Sequence, residues 1–165
     1  GITREGNICE IGASTVVTEI DESLLFQQHF PGLKKMIRLV SSAPIRNMAT
    51  IAGNFTNASP IGDLTIFFLA LDAELLLSDG KNKRSLPLKD FYLGYKQLNK
   101  NNEEIIEKIR FELPGPSSRF NFEKVCKRTW LDIATVNTAV SYTHLRAHET
   151  VLDLVCRLLL EKKKH

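Results

Sequence analysis

The sequence predicts an α+β fold, and three stretches carry that prediction. Ile105 to Leu113 alternates, with Ile109, Phe111 and Leu113 set against Lys108, Arg110 and Glu112, the two-residue period of a half-buried strand. Ala73 to Leu77 and Arg84 to Leu88 are strand-like runs around Asp79-Gly80, a hairpin signature. Earlier the period is helical: Pro31 suits a first turn, Leu33, Ile37 and Val40 share one face, and Asp63 opens an apolar run through Leu71.

The other elements follow in chain order. Asn7 to Ile11 reads as a short strand ending at Gly12, and Thr15 or Thr18 as the cap of a short helix through Ile20 to Phe26. The helix that begins at Pro31 runs to about Ser42. The run from Asp63 is apolar all round, which marks a buried helix. Phe91, Tyr92 and Tyr95 form an aromatic cluster best read as packing, as does Trp130. Pro114-Gly115-Pro116-Ser117-Ser118 is the clearest linker. Beyond it, Phe120 to Arg128 reads as a strand and Asp132 to Ala139 as the start of a helix. No internal repeat or low-complexity segment is present.

The segment from Ile45 to Asp63 is different. It concentrates Gly, Asn, Thr and Ser in positions where a core element would place larger apolar residues. Glycine allows a backbone to approach a ligand closely, and successive N–H groups in a turn form an anion-binding concavity. On the residues alone this is a phosphate-type loop or an ordinary Asn/Gly turn.

Charge and cysteine usage exclude several classes. The stretch from Val140 through Thr150, then Leu154 to Glu161 and Lys162 to Lys164, reads as an in-frame translation of a transposase-type sequencing adapter, with Val151-Leu152 in its index. Residues 140–165 are therefore expected to be a non-native tail, excluded from functional reasoning. The alternative is an amphipathic helix with Leu152, Val155, Leu159 and Leu160 on one face. The tail holds five bases and three acids, so 22 Lys and Arg against 19 Asp and Glu become 17 against 16. A net of +1 makes no case for nucleic acid or an anionic membrane. Outside the tail only His29 remains among histidines, read as a surface or interface residue, and Cys9 and Cys126 lack metal-ligand spacing. With no signal-peptide pattern and no spanning apolar run, the expected location is cytoplasmic.

The order of residues adds a resemblance. Arg46-Asn47, Ala49-Thr50-Ile51-Ala52-Gly53-Asn54 and Ala58-Ser59-Pro60-Ile61-Gly62-Asp63 are similar to the second FAD pyrophosphate loop of the xanthine dehydrogenase flavoprotein family. That family comprises the flavin subunits or domains of molybdenum hydroxylases, including the medium subunit of carbon monoxide dehydrogenase. Further anchors are Ile11-Gly12-Ala13, Phe30-Pro31-Gly32-Leu33, Lys124 to Arg128 and Leu131 to Asn137, so the resemblance runs from about Gly6 to Ala139. It implies a PCMH-like FAD-binding fold, a mixed or antiparallel sheet with flanking helices. Residues 1–115 would be the C-terminal part of the FAD-binding domain and 116–139 the opening of the flavoprotein's next domain. The family's first pyrophosphate loop, a Gly-Gly or Gly-Asn-Thr segment, would lie before Gly1.

The same resemblance implies a cofactor site. Thr50, Ile51, Ala52, Gly53 and Asn54 would aim donors at the FAD diphosphate, where charge-assisted bonds are the stronger kind. Ala52 stands where many relatives carry a second Gly. Asn57 and Ser59 would add donors, though a polar turn explains them as well. Asp63 would accept from cofactor hydroxyls or cap its own helix. Ile105 and Ile106 would pass along the flavin, with strand packing as the plain alternative. Lys124 would lie near the isoalloxazine or be a solvated strand lysine. Arg46 is expected to brace the loop. No catalytic residue and no metal ligand are assigned.

The implied parent is an FAD-dependent oxidoreductase component that passes electrons from a molybdenum and iron–sulfur chain to NAD or another acceptor, of the xanthine dehydrogenase type. Its partners would be the iron–sulfur and molybdenum-binding subunits or domains. The chain by itself is expected to bind FAD weakly or not at all and to be inactive. The competing reading is a non-catalytic α+β module with a structural or general nucleotide-phosphate loop.

Overall fold

The computed structural model describes residues 1–128 and 130–142. Strands β1 (Ile2–Glu5) and β2 (Ile8–Gly12) precede six short helices, α1 (Val17–Glu22), α2 (Leu24–His29), α3 (Leu33–Ile37), α4 (Ala43–Arg46), α5 (Ile51–Thr56) and α6 (Asp63–Leu69). There follow β3 (Glu74–Ser78), β4 (Lys83–Pro87), β5 (Tyr92–Gly94), β6 (Gln97–Leu98), β7 (Ile105–Glu112), β8 (Arg119–Val125) and β9 (Val136–Tyr142). Five strands form one antiparallel sheet in the order β1-β2-β7-β3-β4, while β5–β6 and β8–β9 are separate pairs. The α+β expectation holds, and no helix among the described residues is long and apolar enough to cross a membrane.

The sheet is apolar on one side and ionic on the other. Cys9, Ile11, Leu75, Leu77, Ile109 and Phe111 are buried in the common core. Alternation turns Glu10, Lys108 and Arg110 to the opposite side, where cross-strand ion pairs close at 2.8 and 2.9 Å. One wetted face is normal for an antiparallel sheet. The β3–β4 turn forms as expected: Gly80 takes φ +87°, and the Asp79 carboxylate accepts the Lys81 and Asn82 amides at 2.8 and 2.6 Å.

Over the apolar side lies a cluster of phenylalanine rings. Phe67 of α6 is central, with ring centroids 5.0 to 6.4 Å from Phe26, Phe30, Phe68, Phe120 and Phe122. Phe120 and Phe122 come from β8, so this cluster docks the β8–β9 hairpin onto α6.

Four expectations are corrected. Neither Thr15 nor Thr18 caps α1; the Glu19 carboxylate reaches back to accept the Val16 N–H at 2.8 Å, and Ser23 divides the stretch into two helices. The helix from Pro31 does not reach Ser42: α3 ends at Ile37, Ser41 adopts φ +55°, and Ser42 caps a new helix by accepting the Ile45 N–H at 3.5 Å. Leu33, Ile37 and Val40 still share the buried face. Trp130 is 59% exposed and packs little. Asp132 to Ala139 is no helix: Asp132 accepts the Arg128 and Ile133 amides in a turn, and the chain then runs as β9 against β8. β-Branched Val136, Thr138 and Val140 suit a paired strand better than a helix. Residues 140–142 of the expected tail continue β9; 143–165, with the Leu152 to Leu160 face, lie outside the described residues.

Phe67→Ala should lower stability by about 3–5 kcal/mol, the usual cost of emptying a packed aromatic position. Urea unfolding midpoints of the two proteins check it.

Candidate functional site

The Gly- and Asn-rich segment is a helix start, and its amides already have partners. Thr50 Oγ1 accepts the Gly53 N–H at 3.0 Å. The Ile51 N–H donates to the Thr15 carbonyl at 3.0 Å and the Ala52 N–H to the Ala13 carbonyl at 3.3 Å. The Asn54 N–H closes the first turn onto the Thr50 carbonyl at 3.0 Å. The expected bend with converging free amides at Thr50 to Asn54 is thereby corrected. A helix start leaves orphan donors, and residues 13–15 have taken them. Gly53 is explained by the same cap, since a Cβ there would sit 2.7 Å from Thr50 Oγ1.

What residues 50–54 still offer a ligand is side chain. Asn54 Oδ1 accepts the Thr65 hydroxyl at 3.3 Å, so its two N–H donors are what it still offers; among the described residues they have no partner. Asn57 is exposed, and its carbonyl and Oδ1 accept from the Lys96 ammonium. Ser59 Oγ accepts the Ile61 N–H at 3.4 Å, a local turn. Tyr92 ties its hydroxyl to the Phe55 carbonyl at 3.2 Å, and burial pushes its phenol up to about 12, so it stays neutral. Arg46 braces the connection between α3 and α4 and not residues 50–54, donating to the Val40 and Ser41 carbonyls at 3.0 and 2.7 Å.

Residues 13–15 also connect this helix to β7. The Ala13 N–H donates to the Glu107 carbonyl at 3.0 Å. Glu107 is the extra residue of a bulge, because Leu76 pairs with Lys108 and Leu77 with Ile106. Just before the bulge, Ile106 is buried and Ile105 is 66% exposed. The preceding turn is held by Arg84, whose guanidinium donates to both oxygens of Glu104 at 2.6 and 2.9 Å, and by the Asn101 N–H at 2.7 Å. That fork holds the Glu104 carboxyl down at about 2.

Asp63 and Lys124 are brought together. They form an ion pair at 2.7 Å with side chains 9% and 3% exposed. Asn137 Nδ2 donates to the other Asp63 oxygen at 2.9 Å, and Lys124 also donates to the Leu39 carbonyl at 2.9 Å. Lys124 is thus no solvated strand lysine, and both side chains already have protein partners. Sequence reasoning missed Asn137, Arg84 and Glu104. Asn137 lay inside a recognised stretch but was read into a helix; Arg84 and Glu104 carry no local signal, since strand pairing alone brings them together.

Other polar groups stand apart. His29 Nδ1 lies 3.3 Å from the Pro114 carbonyl, which only an N–H can satisfy. Burial pushes the Cys9 thiol up to about 11. One cleft of about 250 Å³ is lined by Ile20, Asp21, Phe26, Gln27 and Lys34, and another of about 230 Å³ by Leu69, Asp72, Glu74 and Lys89. No candidate site residue lines either. Among the described residues no cluster of His, Cys, Asp or Glu is arranged to hold a metal.

Residues 1–114 match the family described as the FAD binding domain in molybdopterin dehydrogenase. The chain is similar to the carbon monoxide dehydrogenase medium chain of Hydrogenophaga pseudoflava, 31% identical over 141 residues, covering 85% of this chain and 48% of that one. It is also similar to the nicotinate dehydrogenase FAD-subunit of Eubacterium barkeri, 32% identical over 138 residues, covering 82% and 47%. The fold superposes on reconstituted CO dehydrogenase from Oligotropha carboxidovorans with a TM-score of 0.79 at 29% identity, covering 88% of this chain and 50% of that one. The chain spans about half the length of the curated relatives it matches.

The donor set fits an FAD diphosphate in kind. Asn54, Asn57 and Ser59 supply amide and hydroxyl groups, and the Asn54 oxygen is already occupied, so that amide presents donors to an anion. The fit runs through side chains and not through the amides of residues 51–54.

Three outcomes follow. Thr50→Ala should cost about 1 kcal/mol. Gly53→Ala should be near neutral with Thr50 present, because lost capping offsets about 1 kcal/mol of gained helix propensity, yet stabilising with Thr50→Ala; thermal unfolding of the four proteins reads this. Because the folded-state pKa of Glu104 is depressed, its stabilisation is full above the ordinary glutamate value and lost as pH falls toward about 2. Glu104→Gln should therefore flatten the acid limb of melting temperature against pH below about pH 4.5.

Proposed function

The chain belongs to the family of FAD-binding domains in molybdopterin dehydrogenases, and on that premise we propose that its α5–α6 face contributes to an FAD site. The observation that carries the reading is the family match across residues 1–114. It is supported by the N–H donors that Asn54 keeps free on a helix whose own amides are occupied. The parent we propose is a molybdenum hydroxylase that passes electrons through iron–sulfur subunits or domains to the flavin, and on to NAD or another acceptor. A substrate of the xanthine dehydrogenase type and a cytoplasmic location belong to the same proposal.

FAD, when bound, supplies the exchange between hydride and single-electron transfer. The chain's own residues bind and position. Asn54, Asn57 and Ser59 direct N–H and O–H donors at the diphosphate, and Thr50 and Gly53 hold the helix start that carries them. Ile51 and Ala52 pin that start to residues 13–15. Ile105 offers an apolar surface at the end of β7, and Ile106 anchors it from the core. Asp63 and Lys124, neutralised by each other, support the face from beneath. We place the domain boundary in the Pro114 to Ser118 linker, with residues 1–115 before it and 116–139 opening the next domain.

Titration of the purified chain with FAD, followed by flavin fluorescence, tests the proposal. Weak saturable quenching is expected. Asn54→Asp keeps the acceptor for Thr65 but meets the phosphates with negative charge, so affinity should fall about tenfold, roughly 1.4 kcal/mol, at unchanged melting temperature. Equal affinity in both proteins, or no saturation up to about 1 mM FAD, would overturn it.

A further inference from the structure

We propose that Asn137 is a positioning residue for the α5–α6 face, acting on it through Asp63 from the β8–β9 hairpin. The inference rests on the reading of that face as a cofactor surface, and it assigns a role to a residue that reaches the face only at Asp63, the buried first residue of α6.

The argument starts from what the buried ion pair requires. A desolvated carboxylate must have both oxygens satisfied, and a buried charge left partly unpartnered is strongly destabilising. Lys124 bonds only Oδ2 of Asp63, at 2.7 Å, and sends a second proton to the Leu39 carbonyl at 2.9 Å. Oδ1 would stand without a partner but for Asn137 Nδ2 at 2.9 Å. The two donors come from paired strands, since Lys124 of β8 stands opposite Asn137 of β9. Together they fix the plane of the carboxylate, where a single lysine would let it rotate.

The carboxylate in turn fixes a helix end. Asp63 is the first residue of α6, and Gly62 before it has no side chain to cap the turn. Two residues on, within the same turn, the Thr65 hydroxyl donates to Asn54 Oδ1 at 3.3 Å. A continuous path therefore runs from Asn137 through Asp63 and the first turn of α6 to Thr65 and Asn54. In its last link the Thr65 hydroxyl is the donor, which turns the Asn54 oxygen inward and leaves the amide nitrogen for a ligand. When that link is in register, N–H donors face a ligand; when it slips, the amide is free to flip and present its oxygen, which repels an anion.

The test compares three variants of the purified chain, Asn137→Ala, Thr65→Val and Phe122→Leu. The readouts are the Asn54 side-chain amide resonances without ligand and the affinity for FAD. Asn137→Ala and Thr65→Val should both move the Asn54 resonances and weaken FAD by about fivefold. Phe122→Leu loosens hairpin packing without touching Asp63 and should change neither. Thr65→Val keeps the question open if Asn137→Ala does not fold, since it cuts the path at its last link. Unmoved Asn54 resonances in both polar variants, or equal movement in Phe122→Leu, would overturn the proposal. If no variant and not the parent chain binds FAD, the cofactor reading fails, and the Asn54 resonances still decide the positioning role.

Discussion

The ion pair between Asp63 and Lys124 is the constraint on which the arrangement of this protein turns. Taking two charges out of water costs several kcal/mol per ion unless geometry and further hydrogen bonds compensate. Here Asn137 and the Leu39 carbonyl supply those bonds. The phenylalanine cluster around Phe67 provides apolar attraction between hairpin and helix, but such attraction is non-directional. Rings alone would let the hairpin slide. The polar network accepts one position, because any shift strands a buried charge.

The candidate site shows the same division between attraction and direction. A helix start is normally a place where unsatisfied N–H groups await an anion. In α5 the segment Ala13 to Thr15 has occupied that place, and Thr50 takes the remaining donor. The small residue at position 53 therefore makes room for the Thr50 cap before any ligand is considered. What α5 leaves open is side chain, its orientation set by neighbours, as Thr65 sets Asn54. The link from Ala13 to the bulge at Glu107 then joins helix and sheet into one support.

Membership of the FAD-binding family and the geometry inform each other. The family match ends at residue 114, and the hairpin beyond it is where Lys124 and Asn137 reside. Residues from two segments thus complete one buried network. The ionic side of the sheet, with Glu10, Lys108 and Arg110, takes no part in this and stands opposite the core.

By itself the sequence determined the elements whose residues face one consistent environment. β7 was legible because Ile109, Phe111 and Leu113 alternate with charges, and α6 because its apolar residues leave no wet face. The β3–β4 hairpin was legible because Asp79 and Gly80 carry their own turn chemistry. The resemblance of residues 46 to 63 to a cofactor loop was equally a matter of local order. Only the tertiary structure decided what those local signals were for. The amides at 51 to 54 looked free until residues 13–15 were folded against them, and Lys124 stood open between a flavin contact and a solvated strand lysine until Asp63 was placed beside it. Asp132 to Ala139 became turn and strand because β8 lay ready to pair. The physical reason is common to all three. A hydrogen bond or charge pair is specified by two partners, and when they stand tens of residues apart, neither one's neighbourhood in the chain records the other.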